Sequence, residues 1–525
     1  MLFVFSNDIF QFINNKKDVE INMEQTPKSI AWKALQDHAN NSLINLRQID
    51  TQTSNLRHYK FTASSSNIHL DYSKQHITSE TLNLLFKLSD ACNLTAKIKA
   101  LFEGGIVNIS ESKPALHTAL RNLDNIPIIV NGKNIMPEIN AALDKMRIIS
   151  EKIRNKSWLG FSGKPITDIV NIGIGGSDIG PRFALNALRD FASKELNYHF
   201  ISDADPDAFK NIIEKLSKET TLFIISSKSF TTQETIYNAK KAFAWIEQKS
   251  NFDKHFIAIT ANVEKARAYG INTIIPIWDF IGGRYSFCSA INLITAIAIG
   301  FPQFQQVLEG ANSMDNNFKS ADYSENLPIL LALLGVWNNN FLHVNNLLLL
   351  TYTKHLEYFL PFVQQLDMES SGKSIDNKGK NVNHSTGPIV WGGLGNQAQH
   401  SYYQLLCQGT HKVAGDFISL TVNDEEFVNE MCRAKINVLT NGFNINNEGN
   451  GYIQGNMPIN NIRIKNFSPF TIGALVALYE HKIYAISVIW DINPFDQPGV
   501  ESVKNVYIKE NEMFNLIPNS VSTLA

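Results

Sequence analysis

Residues 221–235, TLFIISSKSFTTQET, decide how this chain is read. Thr221–Ser226 is an unbroken apolar run of strand length, as expected of a strand buried on both faces. Ile236–Lys249 has the Ala-rich apolar spacing of a helix. Between them, Ser227–Thr235 (SKSFTTQET) crowds five hydroxyls and one lysine onto a strand-to-helix turn. Free backbone N–H groups and the helix dipole favour an anion there. The turn has no glycine, unlike the glycine-rich loops that let backbone approach a nucleotide pyrophosphate. Hydroxyls plus one ammonium suit a single phosphate monoester. The alternative is plain helix capping, for which Ser and Thr are favoured anyway.

Outward from this turn, strands and helices alternate. Ile166–Ile174, Tyr198–Ser202 and His255–Ile259 read as strands, and Pro181–Leu196 and Asn262–Tyr269 as helices. A second series follows: strands at Asn346–Tyr352, Pro388–Trp391 and Asp416–Val422, helices at Lys354–Leu366, Gln397–Gln408 and Glu425–Thr440. Such alternation predicts an α/β fold of two doubly wound parallel-sheet units, over 130–290 and 330–500. Residues 23–129 read as a helical N-terminal region, with Ser79–Leu101 and Lys113–Leu123 in helical spacing. Pro137–Ile153 is a further helix. Residues 291–329 form a helical crossover, through Ala290–Phe304 toward Pro328–Val344, and 501–525 a C-terminal segment that carries Lys504. Ligands in such folds bind at the carboxyl ends of the strands, where the Ser227 turn sits.

The 525 residues, 44% hydrophobic and 18% charged, suffice for more than one core. With 47 basic and 49 acidic side chains, net charge −2, nothing asks for nucleic acid or an anionic membrane surface. The longest apolar stretch, Phe470–Ile489, is interrupted by Glu480, His481 and Lys482 and reads as a core helix, not a membrane span. Residues 1–22 lack a basic leader and are read as a dispensable extension. Cys92, Cys288, Cys407 and Cys432 show no CxxC spacing, which fits a reducing compartment, and the expected location is cytoplasmic.

Other segments carry chemistry. Asn171–Pro181 (NIGIGGSDIGP) looks like a dinucleotide loop but has Asp178 where the fingerprint needs glycine. A tight strand–helix turn, or a second wall of a sugar-phosphate site with Gly176 and Ser177 facing the ligand, fits better. In FIGGRYSFCSA, two glycines precede Arg284, a permanent cation that could meet developing negative charge or hold a structural carboxylate. In QLDMESSGK, Glu369 ends a helix at a unit boundary; a partly desolvated carboxylate there can act as a general base, and a solvated one would not. His400, within a helix candidate, is a proton carrier near neutral pH or an ordinary helical histidine. His400 and His411 lack metal-ligand spacing and no HExxH occurs, so no metal is expected.

Read in order, NIGIGGSDIGP, SKSFTTQET, DFIGGRYSFCSA, QLDMESSGKS, GNQAQHSYYQLLCQGT and NPFDQPGVESVK resemble the glucose-6-phosphate isomerase (phosphoglucose isomerase) family, from Asn171 to Lys504. The resemblance implies two sugar-isomerase-type subdomains and a metal-independent aldose–ketose isomerase without cofactor, acting on a small sugar phosphate in glycolysis and gluconeogenesis. It implies phosphate binding by Ser227, Lys228, Ser229 and Thr232, and a sugar-site loop at Gly176 and Ser177. Gln365 and Gln497 are implied to contact substrate. Glu369 matches the base, His400 the histidine that assists ring opening, Lys504 the lysine at the ring oxygen and Arg284 the arginine that steadies the intermediate. It further implies a homodimer with His400 donated across the interface. This sequence departs from the family at Ser229, where Thr is common, at Cys407, where His is common, and at Ser502 and Val503, where Leu-Gly usually precedes the lysine. Competing readings are a non-catalytic sugar-phosphate sensor, an isomerase that also takes mannose 6-phosphate, and a nicotinamide-dependent enzyme. The acid–base set opposes the first and Asp178 the last.

Overall fold

A computed structural model describes residues 26–247, 251–421, 426–444 and 451–503. Lys504 and the 1–22 extension lie outside the described residues. The N-terminal region is mainly helical, with helices Pro27–Asn41, Thr51–Lys60, Ser79–Ala91 and Leu94–Phe102. It also carries a hairpin of β1 (Thr62–Ser65) and β2 (Ile68–Lys74), which the helical reading of this stretch does not include. The expected helix over Ser79–Leu101 breaks at Asn93, which is left-handed at φ 54°. Over Lys113–Leu123 only the short 3-10 turn His117–Arg121 forms. A small ribbon, β3 (Ile129–Val130) with β4 (Lys133–Asn134), precedes helix Met136–Arg154.

The first sheet comprises β5 (Asp168–Ile172), β6 (Asn197–Ile201), β7 (Thr221–Ser226), β8 (Phe256–Thr260) and β9 (Thr273–Pro276), all parallel, in the order β6-β5-β7-β8-β9. All six residues of β7 are buried, which is why its sequence shows no alternation. The chain passes from β5 to β6 on one side and returns to β7 on the other, so a topological switch point opens between β5 and β7.

The second sheet contains β10 (Asn346–Thr351), β11 (Ile389–Leu394) and β12 (Ala414–Thr421), then, after the ribbon of β13 (Phe443–Asn444) and β14 (Tyr452–Ile453), β15 (Ile459–Lys465). Its order is β1-β2-β15-β12-β10-β11. The four strands from the second unit are parallel and repeat the order of the first sheet, while the N-terminal hairpin adds antiparallel through β2 on β15.

Helix Pro469–Trp490 runs through the centre, opened by a Ser468/Thr471 capping box. It is long and apolar enough to cross a membrane, yet 94% of its most apolar window is buried in this fold. Its charges are paired inside the protein: Glu480 with Arg121 (2.6 Å), His481 with Asp315 (2.6 Å) and Lys482 with Asp416 (3.4 Å). Arg121 also meets Asp315 at 2.8 Å, and breaking one partner of such a buried set typically costs about 3–5 kcal/mol. It is therefore a core helix.

Three further boundaries differ from expectation. The helix placed at Pro181–Leu196 spans Gly176–Ala187 instead, because Gly175 turns the chain directly off β5 at φ 59°, ψ −129°. Pro181 inside it has no N–H for the Ser177 carbonyl; the Asn171 side-chain amide donates to that carbonyl at 2.9 Å. The Pro328–Val344 helix is α-helical over Leu327–Val336 and then widens to a π turn at Trp337–Phe341. The Gln397–Gln408 helix is two pieces, Gly395–Ala398 and Tyr403–Gln408, with His400 in the turn between them.

Candidate active site

Two loops leave the first sheet at its switch point. The loop after β5 is pinned by Asn171, whose side chain also accepts from Ser226 Oγ at the end of β7 (3.3 Å), so one buried amide couples both strand ends. Gly176 lies so close to the loop before Arg284 that a Cβ there would stand 2.0 Å from the Gly283 carbonyl oxygen. Only glycine permits this approach. At Gly175 the nearest side-chain atom to a Cβ would be Gln365 Nε2, at 3.2 Å.

The loop after β7 runs Ser227–Thr232 into helix Gln233–Ile246. Phe230, buried and left-handed at φ 52°, anchors the turn in the core. Thr232 occupies the N-cap position, but its side chain makes no capping hydrogen bond; Ser227 Oγ lies 3.2 Å from it. Thr231 Oγ1 donates to Ser229 Oγ at 2.6 Å. Ser229 and Thr231 are exposed, Thr232 half-buried and Ser227 buried. The first-turn N–H groups of this helix have no intrahelical acceptor, so the turn offers amides and hydroxyls together. Lys228 is fixed at both ends: its carbonyl accepts from Thr260 Oγ1 (3.0 Å) and Ala261 N (2.9 Å), and its Nζ donates to the Ile281 carbonyl (3.3 Å). Burial pulls its ammonium below the usual lysine range; Asp279 and Glu111 oppose that, and the Arg284 charge adds to it.

Glu369 and Gln365 sit one turn apart on helix Phe359–Ser371, contributed by the second unit. Glu369 is 22% exposed, and its Oε2 lies 3.6 Å from Nη1 of the buried Arg284. Arg284 Nε donates to Ser370 Oγ (2.6 Å) and Nη1 to Gln497 Oε1 (2.9 Å). Its Nη2 donates to the carbonyls of Pro494 (2.5 Å) and Asp496 (3.0 Å). A guanidinium has five N–H donors. Four are held here, and the fifth belongs to Nη1, the nitrogen nearest Glu369. The result is a rigid cation with one donor left beside a carboxylate.

Arg284, Glu369 and Gln497 thus meet directly, Gly176 touches the loop before Arg284, Gln365 comes close to Gly175, and Lys228 reaches the Ile281 carbonyl of the same loop. Ser177 lies beside Gly176 on its turn, and Ser227, Ser229 and Thr232 lie on the Lys228 turn. Among the described residues no contact ties His400 to this set: it is exposed on its turn, and its imidazole makes no hydrogen bond or ring contact. Asp178, which argued against a dinucleotide loop, is held by Arg182 (2.7 and 3.1 Å) on the helix. Sequence reasoning missed Asn171 and Ser370. A fully buried Asn inside an apolar strand was a readable signal for the first; Ser370 had none beyond its place after Glu369. Among the described residues no three His, Cys, Asp or Glu side chains gather as a metal-binding group. A cavity of about 730 Å³, with Arg47, His76, His343, His411 and Lys412 on its walls, lies beside Val344, Val413 and Pro458. Those residues precede β10, β12 and β15, so it opens at the strand N-termini, away from the crevice where open sheets bind ligands. None of the residues gathered around Glu369 lines it.

Comparison with known proteins agrees with this geometry. The phosphoglucose isomerase family model matches residues 71–449 and 448–513. A glucose-6-phosphate isomerase of Legionella pneumophila (strain Lens) is 54% identical over 485 residues, covering 92% of this chain and 97% of that protein. One from Pseudomonas fluorescens (strain Pf0-1) is 42% identical over 510 residues, covering 91% of each. The crystal structure of a glucose-6-phosphate isomerase from Chlamydia trachomatis superposes with a TM-score of 0.86 at 28% identity, over 93% of this chain and 96% of that one. With a family model matched over most of its residues and relatives this similar over nearly its whole length, the chain belongs to the phosphoglucose isomerase family.

Proposed function

We propose that this chain interconverts glucose 6-phosphate and fructose 6-phosphate through ring opening and a cis-enediol. The observation that carries the reading is the Glu369–Arg284 pair at 3.6 Å, reached from the Ser227–Thr232 turn across the switch point. The turn binds the phosphate, the non-reacting end, and its binding energy orients C1 and C2. Glu369 takes the proton from C2 and returns it to C1 on one face. As it leaves, negative charge grows on the enediolate oxygens, and Arg284 meets it without having to reorganise, because four of its donors are already fixed. Gln365 and Gln497 contact the sugar hydroxyls. Ring opening needs a proton delivered to the ring oxygen and one taken from the C1 hydroxyl; we assign these to Lys504 and His400.

We infer a homodimer in which His400 serves the partner's site. Its support is the exposed, unengaged imidazole at a turn that no described contact ties to its own chain's site. We place the protein in the cytoplasm on the four unpaired thiols.

The test is a coupled assay on the purified chain: fructose 6-phosphate is supplied, glucose 6-phosphate is detected, EDTA is present, and no nicotinamide is added in the isomerisation step. Steady turnover is expected. No product, or turnover only after a divalent metal is restored, rejects the reading.

A further inference from the structure

We infer that Lys373 is a positioning residue of this site: its ammonium ties the helix end that carries Glu369 to the loop that holds Arg284 and Gln497. The inference rests on the isomerase reading above and names a residue that touches no substrate.

Lys373 lies two residues beyond helix Phe359–Ser371. Its side chain is 12% exposed, and every donor on its Nζ is directed inward. One reaches back to the Ser370 carbonyl (3.2 Å), at the end of the Glu369 helix. The others cross to the Asn493 carbonyl (2.7 Å) and the Asp496 carbonyl (3.0 Å), and the Asp496 carboxylate stands 3.0 Å away as an ion pair. The Asp496 carbonyl therefore accepts from two cations at once, Lys373 Nζ and Arg284 Nη2, each at 3.0 Å. Residue 497, the next along, presents its amide oxygen to Arg284 Nη1. Ser370 is shared in the same way: its carbonyl accepts from Lys373, while its hydroxyl accepts from Arg284 Nε. Lys373 and Arg284 thus clamp one loop from two sides and one helix end from two atoms.

Without the ammonium, the Asn493 carbonyl loses its side-chain donor and the Asp496 carbonyl keeps only Arg284 Nη2, so the loop against which Arg284 is aimed is held from one side only. A misplacement on the order of 1 Å in such a constellation can cost about 100-fold in rate. Burial pulls the Lys373 ammonium below the usual lysine range while Asp496 opposes.

Three variants test this by steady-state kinetics. Lys373→Met keeps the aliphatic stem and removes the charge. It is expected to lower kcat by about 10-fold or more with KM within about threefold, the pattern of lost transition-state alignment. Lys373→Arg restores the charge, yet kcat stays reduced because a planar fork cannot reproduce the ammonium's three directions. Asp496→Asn leaves the carbonyl in place and removes the carboxylate that holds the ammonium at 3.0 Å, so kcat is expected to fall by about threefold or more with KM little changed. That variant carries the test if Lys373→Met shows no cooperative thermal transition. The proposal is overturned if either folded variant, Lys373→Met or Asp496→Asn, keeps kcat within about twofold. Absence of isomerase activity in the unaltered chain overturns the isomerase reading itself and this inference with it.

Discussion

At the scale of single residues, the proposed mechanism assigns binding and chemistry to different side chains. Lys228 belongs to the turn and Glu369 to a helix of the other unit, and they meet only through the Arg284 loop, where Lys228 Nζ reaches the Ile281 carbonyl. Substitutions should therefore separate cleanly. Glu369→Gln preserves shape and removes the base; kcat should fall by at least about 100-fold with KM little changed. Lys228→Ala should instead raise KM for phosphorylated sugars, since it removes a contact to the end of the substrate that does not react. Steady-state kinetics on both variants checks the pair, and a near-normal kcat for Glu369→Gln would remove the base assignment. Arg284 shows why its role could not be settled from residue type alone. An arginine after two glycines is equally an anchor or a catalytic cation, and here four donors are bound in the scaffold while the fifth stays on the nitrogen beside Glu369, as the proposed role requires.

At the scale of elements, the site is a junction of loops whose spacing depends on backbone contact. Gly176→Ala puts a methyl 2.0 Å from the Gly283 carbonyl. Backbone cannot yield as a flexible side chain would, so the 282–284 loop must shift and Arg284 with it. We expect kcat/KM to drop by about 100-fold while the protein still unfolds cooperatively; kinetics together with a thermal melt checks this, and unchanged kcat/KM would show that the loop approach is dispensable. Elements of this kind were unequally legible in the sequence. β7 and its turn are readable to the residue, because a strand buried on both faces is apolar between its ends and the turn is polar apart from Phe230. The helix after β5 starts five residues before the Pro181 start that the sequence suggests, with Pro181 inside it. The freed Ser177 carbonyl is satisfied by a side chain 6 residues earlier, which local periodicity does not encode. The break at His400 was hidden for a similar reason, since its flanking residues suit a helix. The hairpin at Thr62–Lys74 escaped notice because TASSSNIHLDYSK is polar, and its pairing partner is β15, far along the chain.

At the scale of the whole molecule, each unit repeats one strand order, and the Glu369 helix of the second unit meets the first through Arg284. The His400 assignment belongs to this scale, because no residue within one chain can test it. Subunits carrying Glu369→Gln and subunits carrying His400→Ala should each be nearly inactive alone. Mixed dimers formed by co-refolding the two should contain one intact site, and random assortment predicts recovery to about a quarter of the unaltered rate. No recovery, in a preparation shown to contain mixed dimers, would place His400 in its own chain's site or outside the chemistry. The β2–β15 pairing carries a different consequence, one of timing. Ile68 lies opposite Ile464, roughly 400 residues later in the chain. At about 5–20 residues per second, a ribosome takes on the order of 20–80 s to make the intervening polypeptide. Throughout that interval the nascent hairpin has an open hydrogen-bonding edge. The second sheet can close only as synthesis nears its end, so the oldest strands of the protein are among the last to be paired.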